Sequence, residues 1–485
     1  MYTRAVILVG RSAVFPNGLG RIRCYAAAAG SKKARREQIP STSFRDKELG
    51  RIYDNMDVEQ KGVISNAMMR ESLEYVGLHE SVIKKTLAFL DADNDRKITR
   101  DDFLRVKDMD RALVERSLKG DLVIPDFSSF QSTLDEIYDL TRSNETGMNA
   151  SYIPQLRNAD SSRFGAATCT IDAQVWHKGD IDTAFTVQST SKPVTYCITQ
   201  ELVGAEKLQK HVGHEPSGRE FNAFALDKFN RPHNPMINLG AIMTASLMRP
   251  RDEQASRFDY VTKFWGDLCG SPVSFDNAVY LSELEHADRN FSLAYMAKDA
   301  GAFDKDVAGH QDITKQLEFY FMCCSITMNC SQASIMAATL ANGGVNPITQ
   351  KRIFSSSTVR DCLSLMYSCG MYDYSGQFAF EVGLPAKSGV AGLVILVIPG
   401  VAGVAVWSPP LDSYGNSTRG VEFCGRLAKK YTFHLFDGIG TSKEDVGRQD
   451  PTKKNEVKDS AAAICELNFA AAGKGVIERI VNFEL

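Results

Sequence analysis

The stretch "FTVQSTSKPVTYCI", residues 185–198, contains the pair of side chains from which the fold can be predicted. Ser189 and Lys192 stand three residues apart, and Pro193 follows them directly. Because proline is tolerated only in or near the first turn of a helix, a helix should begin close to Ser189. Residues three apart share a helix face, so we expect Lys192 beside Ser189, at the end where backbone N–H groups are unpaired.

This pairing indicates serine acyl-transfer chemistry. A serine hydroxyl becomes a good nucleophile only when a base takes its proton, and lysine can do so once burial lowers its pKa from about 10.4. The unpaired N–H groups at the helix start are suited to stabilising an oxyanion. Two candidates for this base remain: Lys192 itself, or a tyrosine phenolate whose charge Lys192 stabilises.

A second motif, "KSG" at 387–389, extends the prediction. Serine β-lactamases and penicillin-binding proteins combine S-x-x-K with a distant K-[TS]-G on a strand beside the nucleophile. The run that continues from it, "GVAGLVILVIPGVAGVAVW" at 389–407, is uncharged, but its central Pro-Gly and its β-branched residues predict two buried strands and a turn. We therefore predict a mixed α+β fold: a β-lactamase-like core with a central antiparallel sheet flanked by helices.

Composition narrows the class of protein. The chain has 485 residues, 44% of them hydrophobic, and a net charge of −3, which is typical of a globular protein of two or three domains. This balance argues against non-specific binding of nucleic acid, which needs clustered basic residues. Eleven cysteines without metal-site spacing indicate reduced thiols in an intracellular compartment, and we expect no metal site and no membrane span.

The first 36 residues differ from the rest of the chain. They contain eight arginines and lysines, and no acidic residue precedes Glu37. A basic, acid-free leader of this kind predicts a mitochondrial transit peptide and therefore a matrix protein; the alternative is a disordered basic tail.

A helical module is predicted over residues 40–120, with two loops that resemble EF-hands at 57–68 and 91–102. The first loop has Lys61 and Met68 where Ca²⁺ needs oxygen ligands at positions 5 and 12. The second has Arg96 in place of the glycine and the short Asp102 at position 12. We expect a helical pair that keeps the EF-hand shape without the ion, with at most weak binding in the second loop.

The remaining boundaries follow from composition. We assign residues 125–436 to a catalytic domain, 437–460 to a polar linker and 461–485 to a short helical C-terminal segment.

Long stretches of the chain resemble the eukaryotic kidney-type and liver-type glutaminase family, densely over about residues 115–440. The matching stretches are "YIPQL" (152–156), "RPHNPMINLGAI" (231–242), "DRNFSLAYM" (288–296), "AATLANGGVNPIT" (337–349) and "SLMYSCGMYDYSGQFAFEVGLPAKSGVAG" (364–392). The resemblance implies a β-lactamase-like fold and hydrolysis of L-glutamine to L-glutamate and ammonia through a γ-glutamyl-serine ester.

The resemblance also implies the site residues. Ser189 would be the acylated nucleophile and Lys192 its activating partner, with Tyr372 as a proton relay and Tyr152 as a second phenol of the catalytic site. The backbone N–H of Val390 would complete an oxyanion hole with that of Ser189. The residues expected to hold the substrate, together with Ser189, Tyr372 and Val390, are Asn238, Glu283, Asn290 and Tyr320.

Partners and regulation follow from the same resemblance. It implies a homo-oligomer, a dimer or tetramer, activation by phosphate and no cofactor. The segment 218–231, which includes Phe221, corresponds to a gating loop whose neighbouring residues differ from the family, and an ankyrin array is truncated or absent after residue 460. Two alternatives stay open: another serine acyl-hydrolase of the β-lactamase-like class, or a catalytically dead, Ca²⁺-responsive scaffold.

Overall fold

A five-stranded antiparallel sheet lies at the centre of the fold. The computed structural model describes residues 44–57, 60–108, 113–218, 225–308, 313–437 and 448–454, which from Arg45 onward belong to one compact unit. The strands are β1 Val63–Ser65, β2 Lys97–Thr99, β3 Gly165–Thr170, β4 Val175–Gly179, β5 Phe185–Thr186, β6 Ser274–Phe275, β7 Ile326–Met328, β8 Ala386–Ser388, β9 Leu393–Ile398 and β10 Ala402–Trp407. The central sheet has the order β4-β3-β10-β9-β8, and β5, β7 and β6 form a small second sheet.

The two predicted strands after "KSG" are confirmed as β9 and β10. They pair antiparallel in register across Pro399-Gly400, where Gly400 adopts a φ of +74°. Every residue of both strands is buried. Leu393, Ile395 and Val397 point into one hydrophobic cluster, and the alternate residues of β9 point into another on the opposite face. A fully buried side chain of this size contributes about 1.5–3 kcal/mol, so this uncharged run forms the inside of the sheet.

Helices cover both faces of the sheet. The helices are α1 Phe44–Met56, α2 Asn66–Tyr75, α3 Glu80–Leu90, α4 Arg100–Leu104, α5 Leu113–Leu118, α6 Phe127–Arg142, α7 Pro154–Arg157, α8 Ser191–Val203, α9 Ala205–His211, α10 Asn238–Ser246, α11 Gln254–Cys269, α12 Asn277–Glu285, α13 Asp288–Asp299, α14 Lys305–Ala308, α15 Ile313–Cys324, α16 Cys330–Ala341, α17 Ser356–Cys369, α18 Ser375–Glu381 and α19 Thr418–Lys430. α16 packs on β3, β9 and β10, and α19 packs with α6 and against β9 and β10.

One glycine lets α16 approach the sheet closely. A Cβ at Gly403 in β10 would stand 2.1 Å from the backbone nitrogen of Ala338, which is shorter than any real contact. At this point α16 can approach β10 so closely only because β10 has no side chain there. The predicted fold class, a mixed fold with an antiparallel sheet flanked by helices, is confirmed.

Helices α1–α5 have a hydrophobic cluster of their own, and β1 pairs antiparallel with β2 between the two loops predicted to resemble EF-hands. The β3–β4 turn extends into this cluster, where Ala173 is fully buried at a φ of +63°. Asp172 in that turn accepts hydrogen bonds from both Nη atoms of Arg116, each at 2.7 Å, and from Val123 N at 2.6 Å. The turn of the central sheet is thus built into the helical module.

Several predicted segments fall wholly or partly outside the described residues. The leader at 1–36, Phe221 in the predicted gating loop and the C-terminal segment 461–485 are among the residues that the structure does not describe. Within the predicted linker, Arg448 donates to the carbonyls of Ala428 and Tyr431 and Gln449 bridges to Tyr431, so this part packs against the end of α19. None of the helices in the described ranges is long and apolar enough to cross a membrane.

Candidate active site

Ser189 lies in a tight turn between β5 and α8. It occupies the 3₁₀ turn Gln188–Thr190, which continues directly into α8, and Pro193 is the third residue of that helix. The predicted helix start beside Ser189 is therefore present, with a 3₁₀ turn where an α-helix was expected. Gln188 is buried with a φ of +48°, a left-handed conformation that costs a non-glycine residue about 1–3 kcal/mol and is typical of functional sites.

Lys192 points back at Ser189. Its Nζ donates to Ser189 Oγ at 2.6 Å and to Asn238 Oδ1 at 3.0 Å, and only 1% of the residue is exposed. Burial lowers the pKa of Lys192 to about 8, although Cys324 and Glu283 act in the opposite direction. This lysine can therefore lose its proton close to neutral pH, as an activating base requires.

Two asparagines continue the polar network from Lys192. Asn238 is the first residue of α10, and its Nδ2 donates to Oδ1 of Asn290 on α13 at 3.1 Å. The Asn238 amide thus accepts from the lysine on one side and donates to a second amide on the other, which fixes its orientation.

A carboxylate, Glu283, lies on another side of the site. Glu283 is the last buried residue of α12 and is 7% exposed. Its carboxylate accepts a 2.6 Å hydrogen bond from the Tyr152 hydroxyl. Burial raises the pKa of Glu283, whereas hydrogen bonds with Tyr152 and Gln188 and the charge of Lys192 lower it. Tyr152 is 41% exposed as a residue, yet burial raises the pKa of its phenol well above the usual value, so the ring projects from the site while the hydroxyl lies within it.

Tyr320 and Cys324 lie one helical turn apart on α15. Tyr320 is 5% exposed, and burial followed by the nearby Cys324 raises the pKa of its phenol well above the usual value. The Cys324 Sγ stands 3.8 Å from Ser191 Oγ, and burial raises the pKa of this thiol to about 11. A neutral thiol therefore packs behind the start of α8.

Tyr372 approaches Ser189 from the 3₁₀ turn Tyr372–Tyr374. The residue is buried with a φ of +53°, and Lys387 Nζ lies 4.6 Å from the centroid of its ring. Burial raises the pKa of Tyr372 to about 12, and a hydrogen bond with Ser189 opposes the rise. The phenol is therefore protonated at neutral pH and close to the serine hydroxyl.

The "KSG" strand lies beside the serine turn, as predicted. A Cβ at Gly389 would stand 3.0 Å from Val187 O and 3.2 Å from Thr190 Cγ2, so the strand end and the turn are in contact. Lys387 is fully buried, and its Nζ donates to the Ser388 carbonyl at 2.7 Å. Burial lowers the pKa of Lys387 well below its usual value, and the neighbouring charge of Lys192 adds to this effect. Val390 follows, half-buried against a small hydrophobic cluster that contains Ile153.

A cleft of about 530 Å³ lies beside the polar site, and Tyr372 is part of its lining. Its lining consists of Pro216, Ser217, Gly218, Asn234, Met236, Ile237, Ser368, Cys369, Tyr372, Asp373, Ser375 and Gly376. A cleft of this size can hold a small polar molecule. Among the described residues there is no group of three or more His, Cys, Asp or Glu side chains that could hold a metal ion.

The comparison with protein families decides the kinship of this chain, because the glutaminase family model matches residues 147–436. The chain belongs to the glutaminase family. It is 46% identical over 363 residues to putative glutaminase 3 of Caenorhabditis elegans. The aligned region covers 75% of this chain and 61% of the nematode protein. It is 40% identical over 361 residues to the mitochondrial liver isoform of Mus musculus, covering 74% and 58% of the two chains.

Glutaminases of known structure share its fold. A probable glutaminase, ybaS, superimposes with a TM-score of 0.61 at 35% identity, covering 64% of this chain and 99% of that one. Mglu in its tris and glutamate form gives a TM-score of 0.60 at 36% identity, covering 64% and 68%. The chain thus spans about three fifths of the length of the nematode and mouse relatives, and the solved glutaminase is covered almost completely by part of it.

In this member of the glutaminase family, the structure brings most of the predicted side chains into one connected cluster. Ser189, Lys192, Asn238 and Asn290 form a continuous chain of hydrogen bonds, and the Tyr372 phenol lies beside Ser189. Glu283, Tyr152 and Tyr320 form the adjoining part, linked through electrostatic contact with Lys192 and Cys324.

Two residues that the sequence did not single out lie within the same cluster. Gln188 lies close enough to Glu283 to lower the pKa of that carboxyl, and Cys324 lies between Ser191 and Tyr320. A glutamine beside a serine and a cysteine in an apolar helix have no distinctive spacing, because both contacts join residues distant in sequence. The adjacent pair Cys323-Cys324 was the only available signal.

Proposed function

We propose that this chain hydrolyses L-glutamine to L-glutamate and ammonia through an ester on Ser189. The observation that carries the proposal is the 2.6 Å contact between a buried Lys192 Nζ and Ser189 Oγ, beside the "KSG" strand. The chain's membership of the glutaminase family supports the choice of substrate.

In the first half of the proposed reaction, Ser189 attacks the side-chain amide of glutamine. Neutral Lys192 takes the hydroxyl proton while the new C–O bond forms, and a tetrahedral oxyanion results. The C–N bond then breaks, and a proton delivered from Lys192, directly or through the Tyr372 phenol, leaves with ammonia. The γ-glutamyl group stays on Ser189 Oγ as an ester.

In the second half, water hydrolyses this ester. The same amine accepts a proton from water, hydroxide attacks the ester carbonyl, and the proton returns to Ser189 Oγ as glutamate leaves. Every proton transfer has a protein donor or acceptor, so the proposed reaction includes no cofactor.

The pKa values favour Lys192 over Tyr372 as the base. With a pKa of about 8, about a tenth of Lys192 is neutral at pH 7 and more at higher pH, whereas the Tyr372 phenol, at about 12, is almost fully protonated. A protonated phenol can pass a proton to the leaving ammonia but is a poor acceptor. We therefore assign the base to Lys192 and the relay to Tyr372.

The other predicted residues suit the remaining groups of glutamine. The Glu283 carboxylate would pair with the α-ammonium group, since charge-assisted hydrogen bonds are the strong ones. Neutral donors on Asn238, Asn290 and Tyr320 would hold the carboxylate and the amide, with Tyr152 orienting Glu283. The backbone N–H groups of Ser189 and Val390 would form the oxyanion hole, which the contact of the "KSG" strand end with the serine turn supports.

We propose a mitochondrial location, in the matrix. The basic, acid-free leader at 1–36 supports it, and the mouse and rat relatives at 40% identity are named mitochondrial. A homo-oligomer and phosphate activation are proposals that rest on the family resemblance. The division into a helical module at 40–120 and a catalytic domain at 125–436 is supported by the separate hydrophobic cluster of α1–α5.

An ammonia-release assay on the purified chain tests the function. Glutamine and asparagine are compared by ammonia release, and a β-lactam by ring opening read from its loss of ultraviolet absorbance, at equal concentration, with and without phosphate, for the native chain and for Ser189→Ala. We expect release from glutamine that Ser189→Ala abolishes and that Ser132→Ala, which removes an exposed hydroxyl on α6, leaves unchanged. Hydrolysis of the β-lactam in preference to glutamine would support the other acyl-hydrolase, and no turnover of any compound would reject the enzyme.

A further inference from the structure

Tyr372 has a backbone conformation that the chain must impose on it. It is a large, buried side chain at a φ of +53°, a region that bulky residues with a Cβ seldom adopt. The proposed relay works only if the phenol stays beside Ser189, so the groups that hold this conformation become part of the reaction.

A buried serine holds the carboxyl-terminal side of Tyr372. The Ser375 hydroxyl donates to the Tyr372 carbonyl at 2.6 Å and accepts from the Met371 N–H at 3.0 Å. The Ser375 hydroxyl therefore bridges the N–H of Met371 and the carbonyl of Tyr372. As a residue, Ser375 is 7% exposed. Ser375 also lines the cleft next to Tyr372.

An asparagine from a distant loop holds the amino-terminal side. Asn416 is fully buried, and its Nδ2 donates to the Met371 carbonyl at 3.3 Å. The loop is fixed in turn, because Asp412 accepts from Asn416 N at 2.9 Å through its carboxylate and donates to the Asn416 carbonyl at 2.7 Å through its own N–H.

The same loop touches the ring of Tyr372. Gly415 adopts a φ of +89°, and a Cβ built on it would stand 3.8 Å from the Cδ2 and Cε2 atoms of Tyr372. Lys387 Nζ contacts the ring as well, 4.6 Å from its centroid. Both the backbone and the ring of Tyr372 are thus held by elements other than the turn that contains it.

We infer that Ser375 and Asn416 are positioning residues for the reaction, holding the Met371–Tyr372 peptide so that the phenol stays beside the Ser189 hydroxyl. The inference rests on the proposed function, because it assigns these residues to the relay of the glutaminase reaction. They act through Tyr372.

The inference makes a prediction that a purely structural role does not make. If Ser375 acts through the phenol, its loss should matter only while the phenol is present. Misplacement of a reacting group by about 1 Å can cost about 100-fold in rate. A stabilising serine unrelated to the phenol would lower activity by the same factor in any background.

The test is a double-mutant cycle of Ser375→Ala with Tyr372→Phe, read as kcat and KM for glutamine. In the native background we expect kcat to fall about 10- to 100-fold, with KM changed by less than about twofold. In the Tyr372→Phe background we expect Ser375→Ala to change kcat by less than about twofold. An equal loss in both backgrounds, or an unchanged kcat in the native background, would overturn the inference.

The control variant is Ser334→Ala. Ser334 is a buried hydroxyl in α16 that donates to the carbonyl three residues earlier, at 2.8 Å, which matches the bond from Ser375 to Tyr372. We expect it to leave kcat and KM unchanged. If Ser375→Ala does not fold, Asn416→Ser, which removes the amide donor to Met371, goes through the same cycle. A native chain without ammonia release would count against the proposed function, whereas an active native chain with additive effects counts against the inference alone.

Discussion

The amine of Lys192 lies 2.6 Å from the hydroxyl of Ser189 in a site that leaves 1% of the lysine exposed. The contact joins residues three apart in one segment, so its geometry depends on the 3₁₀ turn Gln188–Thr190 and the start of α8. Burial, in contrast, requires α10, α12 and α15 to close around it. The local sequence therefore supplies the pair, and the tertiary structure supplies the pKa of the amine.

The proposed activity should rise with pH through the pKa of Lys192. The active form carries a neutral amine, and the pKa is about 8, so kcat should increase from pH 6.5 and level off above about pH 9. Lys192→Arg should be inactive across this range, because an arginine stays protonated. A pH profile of the rate of ammonia release checks this. A profile that falls over the same range would contradict the assignment of Lys192 as the base.

Replacing Lys192 should stabilise the protein while it removes activity. The amine has a pKa of about 8 when folded and about 10.5 when unfolded, so between these values the unfolded chain binds more protons and stability rises with pH. Below pH 8 the amine is protonated in both states, so its burial lowers the free energy of unfolding by the full amount that the depressed pKa represents. Lys192→Met removes this cost but also loses two hydrogen bonds, so we expect about 1–3 kcal/mol of added stability at pH 7.

Urea denaturation at pH 7 and at pH 10 measures this difference, which should shrink at the higher pH. Lys84→Met, at a lysine whose side chain is 69% exposed, is the matched control and should change stability little at either pH. Equal stability of Lys192→Met and the native chain at both pH values would show that burying the Lys192 amine does not cost stability.

Glu283→Gln should weaken substrate binding more than catalysis. The carboxylate is 7% exposed and is proposed to pair with the α-ammonium group, so its loss removes a charge-assisted bond of about 1.5–3 kcal/mol. KM should rise about 10- to 100-fold with a smaller change in kcat. Tyr152→Phe, which removes only the 2.6 Å bond to Glu283, should raise KM less. An unchanged KM for Glu283→Gln would remove this residue from the substrate site.

The parts of the fold and site that the sequence predicts are those with a local cause. The i, i+3 spacing of Ser189 and Lys192 and the turn at Pro399-Gly400 depend only on neighbouring residues, and both are present. The contacts of Gln188 with Glu283 and of Asn416 with Met371 join distant segments. No residue type or spacing in the sequence predicts these contacts, because each depends on how the helices pack around the sheet.

Calcium should have little effect on this protein. In the second loop of the helical module, the Asp91 carboxylate already accepts from Asn66 Nδ2 at 2.7 Å and from Arg96 N at 3.2 Å. Asp102 is engaged in a capping box with Thr99, and Arg96 takes a φ of +64° where a glycine is usual. Isothermal titration with Ca²⁺ should give at most weak heat, and ammonia release should not change. Tight stoichiometric binding would instead support a Ca²⁺-responsive regulator.

Asp172→Asn should loosen the helical module from the sheet without changing the chemistry. Asp172 is 5% exposed and accepts three hydrogen bonds, two of them from a guanidinium group, so its loss should cost about 1–3 kcal/mol of stability. Asp139→Asn removes the 2.9 Å ion pair of a 64% exposed carboxylate with Lys178 and should cost less than about 1 kcal/mol. Urea denaturation compares the two variants, and kcat per folded molecule should stay within about twofold of the native value for both. A lower kcat for Asp172→Asn at full folding would show that the module reaches the active site through the β3–β4 turn.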